Sequence, residues 1–589
     1  MLISAISANK SPAALIQVLY AAFVNIQQNL DRQIIDERFV DKLDVVAKHL
    51  VVVAKHHADA LFAQPHLSKP HFPNEVNLRF NFTIFCLLFC IRNKMAEGTV
   101  VQLLKAAMLV RWQETHVSPE AANEQTTETQ RVMQNDLVAK FAEQGEDIVT
   151  KLLSLPSNIM SHRLNHFSQA TAQSDYQQIF VLAGQLANLT LSSGAQKTLH
   201  FSQALRLMCQ HIPTTWLDIL RPLMHYPGML PTGTCIQDKQ GITSMVVAIN
   251  DHGVWVKTLA TKTSTPHSSA VGYVARSEVV RIYAPLKLTR FAQIDTWFAA
   301  PLDADSVNDE SMAPTPIAAW PIRFAINKPP PSLLDFQHEM LGNNPDIKKM
   351  AAIITREPSF VAQIQQAASH NNRLKQLVET PLHGLLVNGL LPSSRMLWQH
   401  SVLSRLSQES FPLKHDLLMF CQLYCYIVEQ LSAPLMGDDA QDIKMMALFR
   451  ISSLMLEPTL RHAIRWHVIP QQTYLLAKLH GGALAPNTNN MAVKLAKAWQ
   501  QSPKIINILL SVERDMANFA LKKKVDTECC ILGLGLMLGR EVMFAEKALC
   551  PLSIEFANYA QKHLGLNQLE RATLVERCLA KLPLSCDLN

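Results

Sequence analysis

Histidine and aspartate side chains at short spacing are the residues of this sequence that could hold a catalytic metal ion. His415-Asp416 is an adjacent pair, and His162 and His166 stand about one helical turn apart. A metal ion bound by imidazole and carboxylate groups lowers the pKa of its bound water, and so supplies hydroxide near neutral pH. Metal-assisted hydrolysis is therefore the chemistry to test for.

The surroundings of these side chains favour ordinary structural roles. His415-Asp416 lies at a predicted helix start, where the helix dipole favours an acidic side chain, and has no matching ligands at metal-site spacing. His162 is not followed by the glutamate of zinc proteases, so a polar helix face is predicted there. The histidines of His56-His57-Ala58-Asp59 would point about 100° apart on a helix. A solvated face is predicted for that segment.

Basic and aromatic residues give no strong sign of a nucleic-acid partner. The net charge is +6 over 589 residues, without the clustered Lys and Arg of nucleic-acid or membrane-binding proteins. Lys522-Lys523-Lys524 is predicted to be a solvated turn between helices, with anion binding as the alternative. Trp255 and Trp499 are predicted to pack in the core and not to stack on bases.

The cysteines favour a reducing compartment. There are eleven of them, mostly in apolar helical segments, and no CxxC pair occurs, so neither a zinc ribbon nor a redox motif is expected. The odd number and the lack of a signal peptide at Met1–Tyr20 predict a cytoplasmic protein. The apolar run Phe80–Ile91 is shorter than the roughly 20 residues of a spanning helix. It predicts a buried core helix and no membrane span.

Apolar residues recur at spacings of three and four along most of the chain, which predicts a mainly α fold. A polar stretch, Asn123–Thr129, is predicted to be a loop. In the first half, helices are predicted over Val40–Leu61, Val76–Met95, Val100–Trp112, Asn135–Leu155, Asp175–Leu191 and Phe201–His211.

The period changes after Pro227-Gly228, where short apolar runs between turn residues predict a small antiparallel sheet. Its strands are expected at Cys235–Gln237, Ser244–Ile249, Val254–Leu259 and Val279–Tyr283, with a hairpin turn at Asn250–Gly253.

A chain of 589 residues is too long for a single core, so two or more domains are expected. We predict a helical domain at 1–298 that carries a small sheet at about 229–283. An Asp- and Pro-rich linker follows at 299–332. A second helical domain then occupies 333–589, with a break at Gly481–Asn490.

Two segments of the C-terminal half carry a family pattern. The first, NNPDIKKMAAIITREPSFVAQIQQAASHN, covers residues 343–371 and has Glu357-Pro358 between two predicted helices. The second, MAVKLAKAWQQSPKIINILLSVERD, covers residues 491–515 and places Trp499 and Pro503 between another helix pair. With the closing helix Cys529–Phe544, these segments resemble an HDOD domain over about residues 333–550. The resemblance implies a helical fold of the HD superfamily and a role in bacterial signal transduction.

The N-terminal half carries a different pattern. A frame of the form YP-x-G-t-x-V-x-L-x-x-G-x-x-g-V-V, which opens a small sheet, is filled here by Tyr226-Pro227, Gly233-Thr234, Gly241 and Val246-Val247. Upstream, residues 103–114 read LLKAAMLVRWQE. These residues resemble a degenerate HD-GYP domain over roughly residues 40–285. An HD-superfamily helical domain that ends in a small antiparallel sheet is therefore implied.

The metal ligands of catalytic HD-superfamily relatives are replaced in this chain. Their His-Asp pair corresponds to Arg111-Trp112 in the first half and to Arg450-Ile451 in the second. The second replacement is less diagnostic, because HDOD domains in general keep the fold without a complete metal site. The terminal His pair of the second half falls near Val512-Glu513. The GYP element should lie near Ser161–Tyr176, a stretch that contains no glycine. A guanidinium cannot bind a metal ion and repels it.

The apolar framework of these domains is retained while the metal-ligand positions are lost. This pattern predicts a non-catalytic regulator or adaptor that contacts other signalling proteins, needs no cofactor and is not an enzyme. Docking is expected on a helical surface or on the sheet at Thr234–Leu259. The alternative is a receptor for a cyclic dinucleotide or nucleotide, with Arg111 and Arg450 as phosphate-binding charges. The competing interpretation of the two arginines is structural: each one pairs with a nearby carboxylate or faces solvent. A third possibility is a metal-dependent phosphohydrolase with rearranged ligands.

Overall fold

The protein divides into two compact units, Met1–Ile322 and Arg323–Asn589, and each is described by itself. The computed structural model describes residues 11–110, 124–155, 174–191, 199–250, 253–259, 271–298, 325–342, 344–371, 377–457, 460–461, 463–466, 468–479, 488–544 and 549–579. Both units are mainly helical, which confirms the predicted fold class.

The described part of the first unit contains eleven α-helices. They are α1 Pro12–Asp31, α2 Glu37–His56, α3 Ala58–Phe62, α4 Asn74–Arg92, α5 Glu97–Leu109, α6 Glu124–Glu143, α7 Asp147–Leu153, α8 Asp175–Thr190, α9 Phe201–His211, α10 Leu217–His225 and α11 Ala292–Phe298.

Helix α4 forms the centre of the first unit. It packs against α1, α5, α8 and α10, and it is apolar all round because each face meets another helix. By length and composition α4 could also span a membrane. Its side chains from Phe80 to Ile91 are all buried, so the predicted buried core helix is confirmed.

The single arginine near the start of the apolar run of α4 has a structural role. Arg79 is 2% exposed, and its guanidinium donates to the carbonyl oxygens of Met108 and Val110 and to the side-chain oxygen of Gln27. These carbonyls belong to the C-terminal end of α5, where helical carbonyls lack partners within the helix. Arg79 therefore caps α5 from inside the core.

The predicted sheet is present. Its strands are β2 Cys235–Asp238, β3 Thr243–Ile249, β4 Gly253–Thr258, β5 Val271–Ala275 and β6 Val279–Ile282, in the antiparallel order β5-β4-β3-β2-β6. A separate short parallel pair joins β1, Leu67–Ser68, to β7, Leu286–Lys287. The side-chain oxygen of Asn250 accepts from the Gly253 amide at 2.7 Å, as expected at the ends of the predicted hairpin turn. Trp255 is buried, as predicted.

A glycine fixes the approach of the sheet to the helices. Gly233 has φ +84°, and a Cβ there would lie 2.7 Å from the carbonyl oxygen of Ala63. Gly241, in the turn between β2 and β3, has φ +81°. Both positions require the conformational freedom of glycine. Both belong to the frame that suggested the N-terminal resemblance.

Three local predictions for the first unit are wrong. The stretch predicted as a loop at Asn123–Thr129 lies almost wholly in α6. The single helix predicted for Val40–Leu61 is interrupted at His57, and the one predicted for Asn135–Leu155 is interrupted around Gly145, which has φ +70°. A left-handed backbone cannot continue a right-handed helix, so the chain turns there.

The described part of the second unit contains thirteen α-helices. They are α12 Pro331–Met340, α13 Ile347–Thr355, α14 Pro358–Asn371, α15 Pro381–Asn388, α16 Leu390–Leu406, α17 Lys414–Met436, α18 Ala440–Met455, α19 Thr488–Ala498, α20 Pro503–Ala517, α21 Phe519–Lys522, α22 Thr527–Phe544, α23 Pro551–His563 and α24 Gln568–Leu579.

The core of the second unit lies where α17, α18 and α22 pack together. Glycines in the apolar run of α22 allow the close approach: a Cβ on Gly535 would lie 2.8 Å from Val428 of α17. Trp499 is 0% exposed, which confirms its predicted core position. Lys523 has φ +51° at the end of α21, so the lysine run ends one helix and turns the chain toward the next.

Candidate functional site

The predicted site of the first unit cannot be located. Helix α5 ends at Leu109, and Arg111 and Trp112 lie outside the described residues. The same holds for 161–173, which includes His162, His166 and most of the stretch expected to replace the GYP element. The loss of ligands in the first unit therefore stays a prediction.

The predicted position in the second unit is well defined. Arg450 and Ile451 lie in the middle of α18, where they are 0% and 1% exposed. Every residue of α18 from Met445 to Met455 is buried, because the helix packs against α16, α17, α19, α20 and α22. The arginine therefore lies in a protein core and not on a surface.

The Arg450 guanidinium makes four hydrogen bonds and an ion pair within the core. Its Nε donates to Oε1 of Glu513 at 2.7 Å, and its Nη2 lies 2.5 Å from the same oxygen. Nη1 donates to the Tyr424 hydroxyl at 2.7 Å and to the Leu532 carbonyl at 3.2 Å. Nη2 also donates to the Tyr474 carbonyl at 3.2 Å. Each nitrogen of the guanidinium thus donates to at least one protein acceptor.

Glu513 is bound just as completely. It lies on α20, its side chain is 17% exposed, and its second oxygen, Oε2, accepts from the Leu476 amide at 3.2 Å. Positions 450 and 513 are the ones at which the HDOD resemblance puts the His-Asp pair and the terminal His pair. The structure brings these two positions together as an ion pair.

Burial and charge act in opposite directions on this cluster. Burial alone would lower the pKa of Arg450, but the Glu513 carboxylate and Tyr424 outweigh it, and the pKa lies above its ordinary value. Burial raises the pKa of Tyr424 to about 12, although the Arg450 charge acts to lower it. Arg450 and Tyr424 thus stay protonated at neutral pH, with the tyrosine hydroxyl donating to the Leu532 carbonyl at 3.0 Å.

This cluster, which we call the Arg450–Glu513 pair, differs in chemistry from a metal centre. A guanidinium cannot bind a cation, and the nearest carboxylate is neutralised by it. Nor does the pair present charge to a phosphate, because its donors all face protein acceptors. The sequence left open whether Arg450 binds a phosphate, pairs with a nearby carboxylate or faces solvent. In the structure, Arg450 pairs with the carboxylate of Glu513.

The other candidate metal ligands do not assemble. Among the described residues, no group of three His, Cys, Asp or Glu side chains lies close enough to hold an ion. Asp416 is in the first turn of α17, as predicted, and burial raises its pKa against the smaller effect of His415. His56 is exposed. The solvated face predicted there is wrong for Asp59, because its Oδ1 is buried and burial raises its pKa to about 7.

Two polar residues of the second core were not foreseen. Tyr424 lies in an apolar helix and gave no signal of its own. Arg540 stands in the apolar run of α22 and is 0% exposed. It donates to the carbonyl oxygens of Ile469, at 2.7 Å, and Lys478, at 3.1 Å. An isolated arginine inside such a run is a sign of a buried side chain that binds backbone carbonyl groups, a signal that the sequence carried.

Comparisons with known proteins give limited similarity. No family model matches the chain, and no curated protein matches it. An HDOD domain protein of unknown function from Geobacter sulfurreducens is similar in structure over 42% of this chain and 87% of its own, with 11% identity and a TM-score of 0.29. The MmoQ response regulator from Methylococcus capsulatus str. Bath is similar over 41% and 95%, with 13% identity and a TM-score of 0.20. Similarity at this level does not assign a function.

Proposed function

We propose that this protein is a non-catalytic regulator or adaptor in signal transduction, which acts through contacts with other proteins. The observation that carries the proposal is the Arg450–Glu513 pair. It stands at positions that correspond to the metal ligands of catalytic HD-superfamily relatives, which HDOD domains in general lack, and it commits both charges to each other and to backbone groups.

Electrostatics supports the non-catalytic part of the proposal. A divalent ion beside Arg450 would face a fixed positive charge in a site of low polarity, where repulsion is stronger than in water. Removal of the arginine would not create a site, because a single carboxylate would remain in place of several ligands. The position serves the stability of the fold and not hydrolysis.

Exposed apolar side chains support the protein-contact part. On the second unit, Leu377, Leu386 and Leu391 are 86%, 62% and 46% exposed within a short stretch around α15. On the first unit, Val280 is 65% exposed on β6, an edge strand of the sheet. Exposed apolar residues and open sheet edges are typical of surfaces that receive a partner.

The proposal includes a cytoplasmic location. The described cysteines are all free, and most are buried in helices. Thiols in this state suit a reducing compartment, where partners of a signalling adaptor would also be found.

The catalytic part is tested with the full chain, cyclic di-GMP and either manganese or iron(II). We expect no product above a protein-free control. Turnover at an appreciable rate, retained through purification, would overturn the proposal in favour of the phosphohydrolase alternative. Metal analysis of the protein as isolated is the independent measurement, with sub-stoichiometric metal as the expected result.

The protein-contact part is tested by crosslinking in the native cell. Leu386→Asp places a charge on the proposed surface, and Leu569→Asp is the matched control, because Leu569 is 77% exposed on α24 at the other end of the unit's sequence. We expect a crosslinked partner that disappears in Leu386→Asp and persists in Leu569→Asp. Equal capture by both variants contradicts this docking surface.

The nucleotide-receptor alternative now depends on Arg111, since Arg450 is bound within the core. Calorimetry with cyclic dinucleotides and ordinary nucleotides measures it directly. Binding that Arg111→Ala abolishes would favour the receptor over the adaptor.

A further inference from the structure

The second unit contains a cavity that the proposed function does not use. Its volume is about 550 Å³, which is within the roughly 300–1,000 Å³ of small-molecule sites. It is lined by the end of α16 and the residues that follow it, by the end of α18, by α19, and by residues 325–327 ahead of α12. Neither residue of the Arg450–Glu513 pair is among the described lining residues, so this is a separate site.

Much of the cavity wall is apolar. Met491, Leu495 and Ala498 come from α19, at a spacing that puts them on one face of that helix, and Leu456 and Ile326 complete the apolar wall. Leu495 is 4% exposed, so the wall is continuous with the core. The other four residues are half-buried and have apolar surface left to cover. A ligand that covers this surface removes apolar area from water, which is favourable in proportion to the area.

The wall is fixed in place on one side and adaptable on the other. The Trp499 indole Nε1 donates to the Ile326 carbonyl at 2.8 Å, and this bond ties the segment ahead of α12 to the end of α19. Met491, by contrast, has a flexible side chain of the kind that fits ligands of irregular shape. A cavity that already exists in the folded protein costs little conformational entropy to fill.

The charged residues around the cavity are matched by protein groups. Glu409 lies 2.7 Å from Arg461, with side chains 13% and 20% exposed. Arg405 also interacts within the protein, and the Glu357 carboxylate acts on its charge. The ammonium group of Lys494 is exposed and hydrated. An ionised ligand would therefore lose its hydration here without a buried counter-charge in return, which is costly.

We propose that this cavity binds an uncharged apolar small molecule, which lies against Leu456, Met491 and Leu495. The volume suits an aromatic or alkyl compound of roughly 15–20 non-hydrogen atoms. The inference goes beyond the proposed function, because it needs no protein partner and no residue of the Arg450–Glu513 pair. It gives the protein an input by a small molecule that carries no ionised group.

Two matched fluorescent probes test the ligand class on the full chain. N-phenyl-1-naphthylamine is uncharged, and 8-anilinonaphthalene-1-sulfonate has the same ring system with an added sulfonate. We expect the uncharged probe to saturate a single site with a Kd of roughly 10 μM or tighter. The sulfonate should bind at least about tenfold more weakly, because its charge would be desolvated without a partner. No saturable signal from the uncharged probe, or equal or tighter binding of the sulfonate, overturns the proposal.

Two alanine variants test the location. Ala498→Phe fills the apolar part of the cavity, and Ala572→Phe makes the same change at an exposed position of α24 that is not among the described lining residues. We expect Ala498→Phe to abolish binding of the uncharged probe and Ala572→Phe to leave it unchanged. The proposal fails if Ala498→Phe still binds the probe while its thermal unfolding matches that of the wild type, or if both variants lose binding.

Thiol labelling of the wild-type chain locates the site without any substitution. Cys421 and Cys425 of the second unit and Cys86 and Cys90 of the first are each at most 1% exposed, so they react only when their unit unfolds. With the uncharged probe at three times its Kd, the unfolded fraction of the second unit should fall about fourfold. Labelling of Cys421 and Cys425 should slow by that factor, while labelling of Cys86 and Cys90 keeps its rate. Equal protection of both units, or none of the second, contradicts a site in this cavity.

Discussion

Breaking the Arg450–Glu513 pair from either side should destabilise the second unit, and by unequal amounts. Glu513→Leu leaves a guanidinium that is 0% exposed without its counter-charge, whereas Arg450→Met leaves a carboxylate that is 17% exposed and reachable by water. Removal of one partner of a buried pair costs about 3–5 kcal/mol. We expect Glu513→Leu near the upper end of this range and Arg450→Met near the lower end.

The double variant distinguishes a stranded charge from lost packing. Arg450→Met with Glu513→Leu removes both charges, and replacement of a buried pair by apolar residues is often neutral. We therefore expect the double variant within about 2 kcal/mol of the wild type, much less than the sum of the single changes. The exposed pair of Lys504 and Asp439, with atoms 2.8 Å apart and side chains 47% and 60% exposed, is the control, with an expected effect below about 1 kcal/mol.

Buried thiols provide an assay that resolves the units. Cys421 and Cys425 of the second unit and Cys86 and Cys90 of the first are each at most 1% exposed, so they react with a thiol reagent only on unfolding. Pulsed labelling in urea, with peptide mass spectrometry, then gives a free energy of unfolding for each unit. Single variants that lose less than about 1 kcal/mol, or a double variant as unstable as the sum of the two, would refute the reasoning.

Three further results are expected from the same assay. Burial lowers the pKa of Lys69 to about 7, so between about pH 7 and the ordinary pKa of lysine the unfolded chain holds a proton that the folded chain lacks. The gain in stability of Lys69→Met over the wild type should therefore shrink as the pH rises from 6.5 to 9.5. A gain that stays constant with pH contradicts this. Gly233→Ala combines a positive φ with a backbone oxygen 2.7 Å from the new Cβ, whereas the Cβ of Gly145→Ala meets nothing within 4 Å. Gly233→Ala should therefore destabilise the first unit by at least about 1 kcal/mol more than Gly145→Ala does. Equal effects of the two variants would refute the close approach. Trp499→Phe removes the indole hydrogen bond to the Ile326 carbonyl, 2.8 Å long, and should destabilise the second unit by about 1 kcal/mol, with no change in the thiols of α4.

The sequence predicted those elements whose pattern has a clear period. The helix at Phe80–Ile91 and the strands β3 and β4 were foreseen because nearly all of their residues are buried, and such burial leaves a run of apolar residues in the sequence. The first half of helix α6 was missed because it is rich in Gln, Thr and Glu and shows no apolar stripe. The break at His57 was missed because apolar periodicity continues through it, and only packing decides where one helix ends and the next begins.

The candidate site could be predicted as positions but not as an arrangement. The HDOD resemblance pointed to Arg450-Ile451 and to the neighbourhood of Val512-Glu513. In the structure, residues 450 and 513, which are 63 positions apart, form an ion pair. The other partners of Arg450 are the Tyr474 carbonyl, the Tyr424 hydroxyl and the Leu532 carbonyl, which are 24, 26 and 82 positions away. Nothing local to those residues marks them, because a carbonyl becomes an arginine acceptor only when tertiary packing brings it there.

The Arg450–Glu513 pair also restricts which sequences can be reached one substitution at a time. A metal-binding site at this place would need histidine or aspartate at both position 450 and position 513. Arg450→His alone leaves the carboxylate without its partner, and Glu513→His alone leaves the buried guanidinium without its counter-charge, so either first step passes through a less stable protein. A chain that holds this pair is therefore separated by less stable single variants from any sequence with metal ligands at both positions.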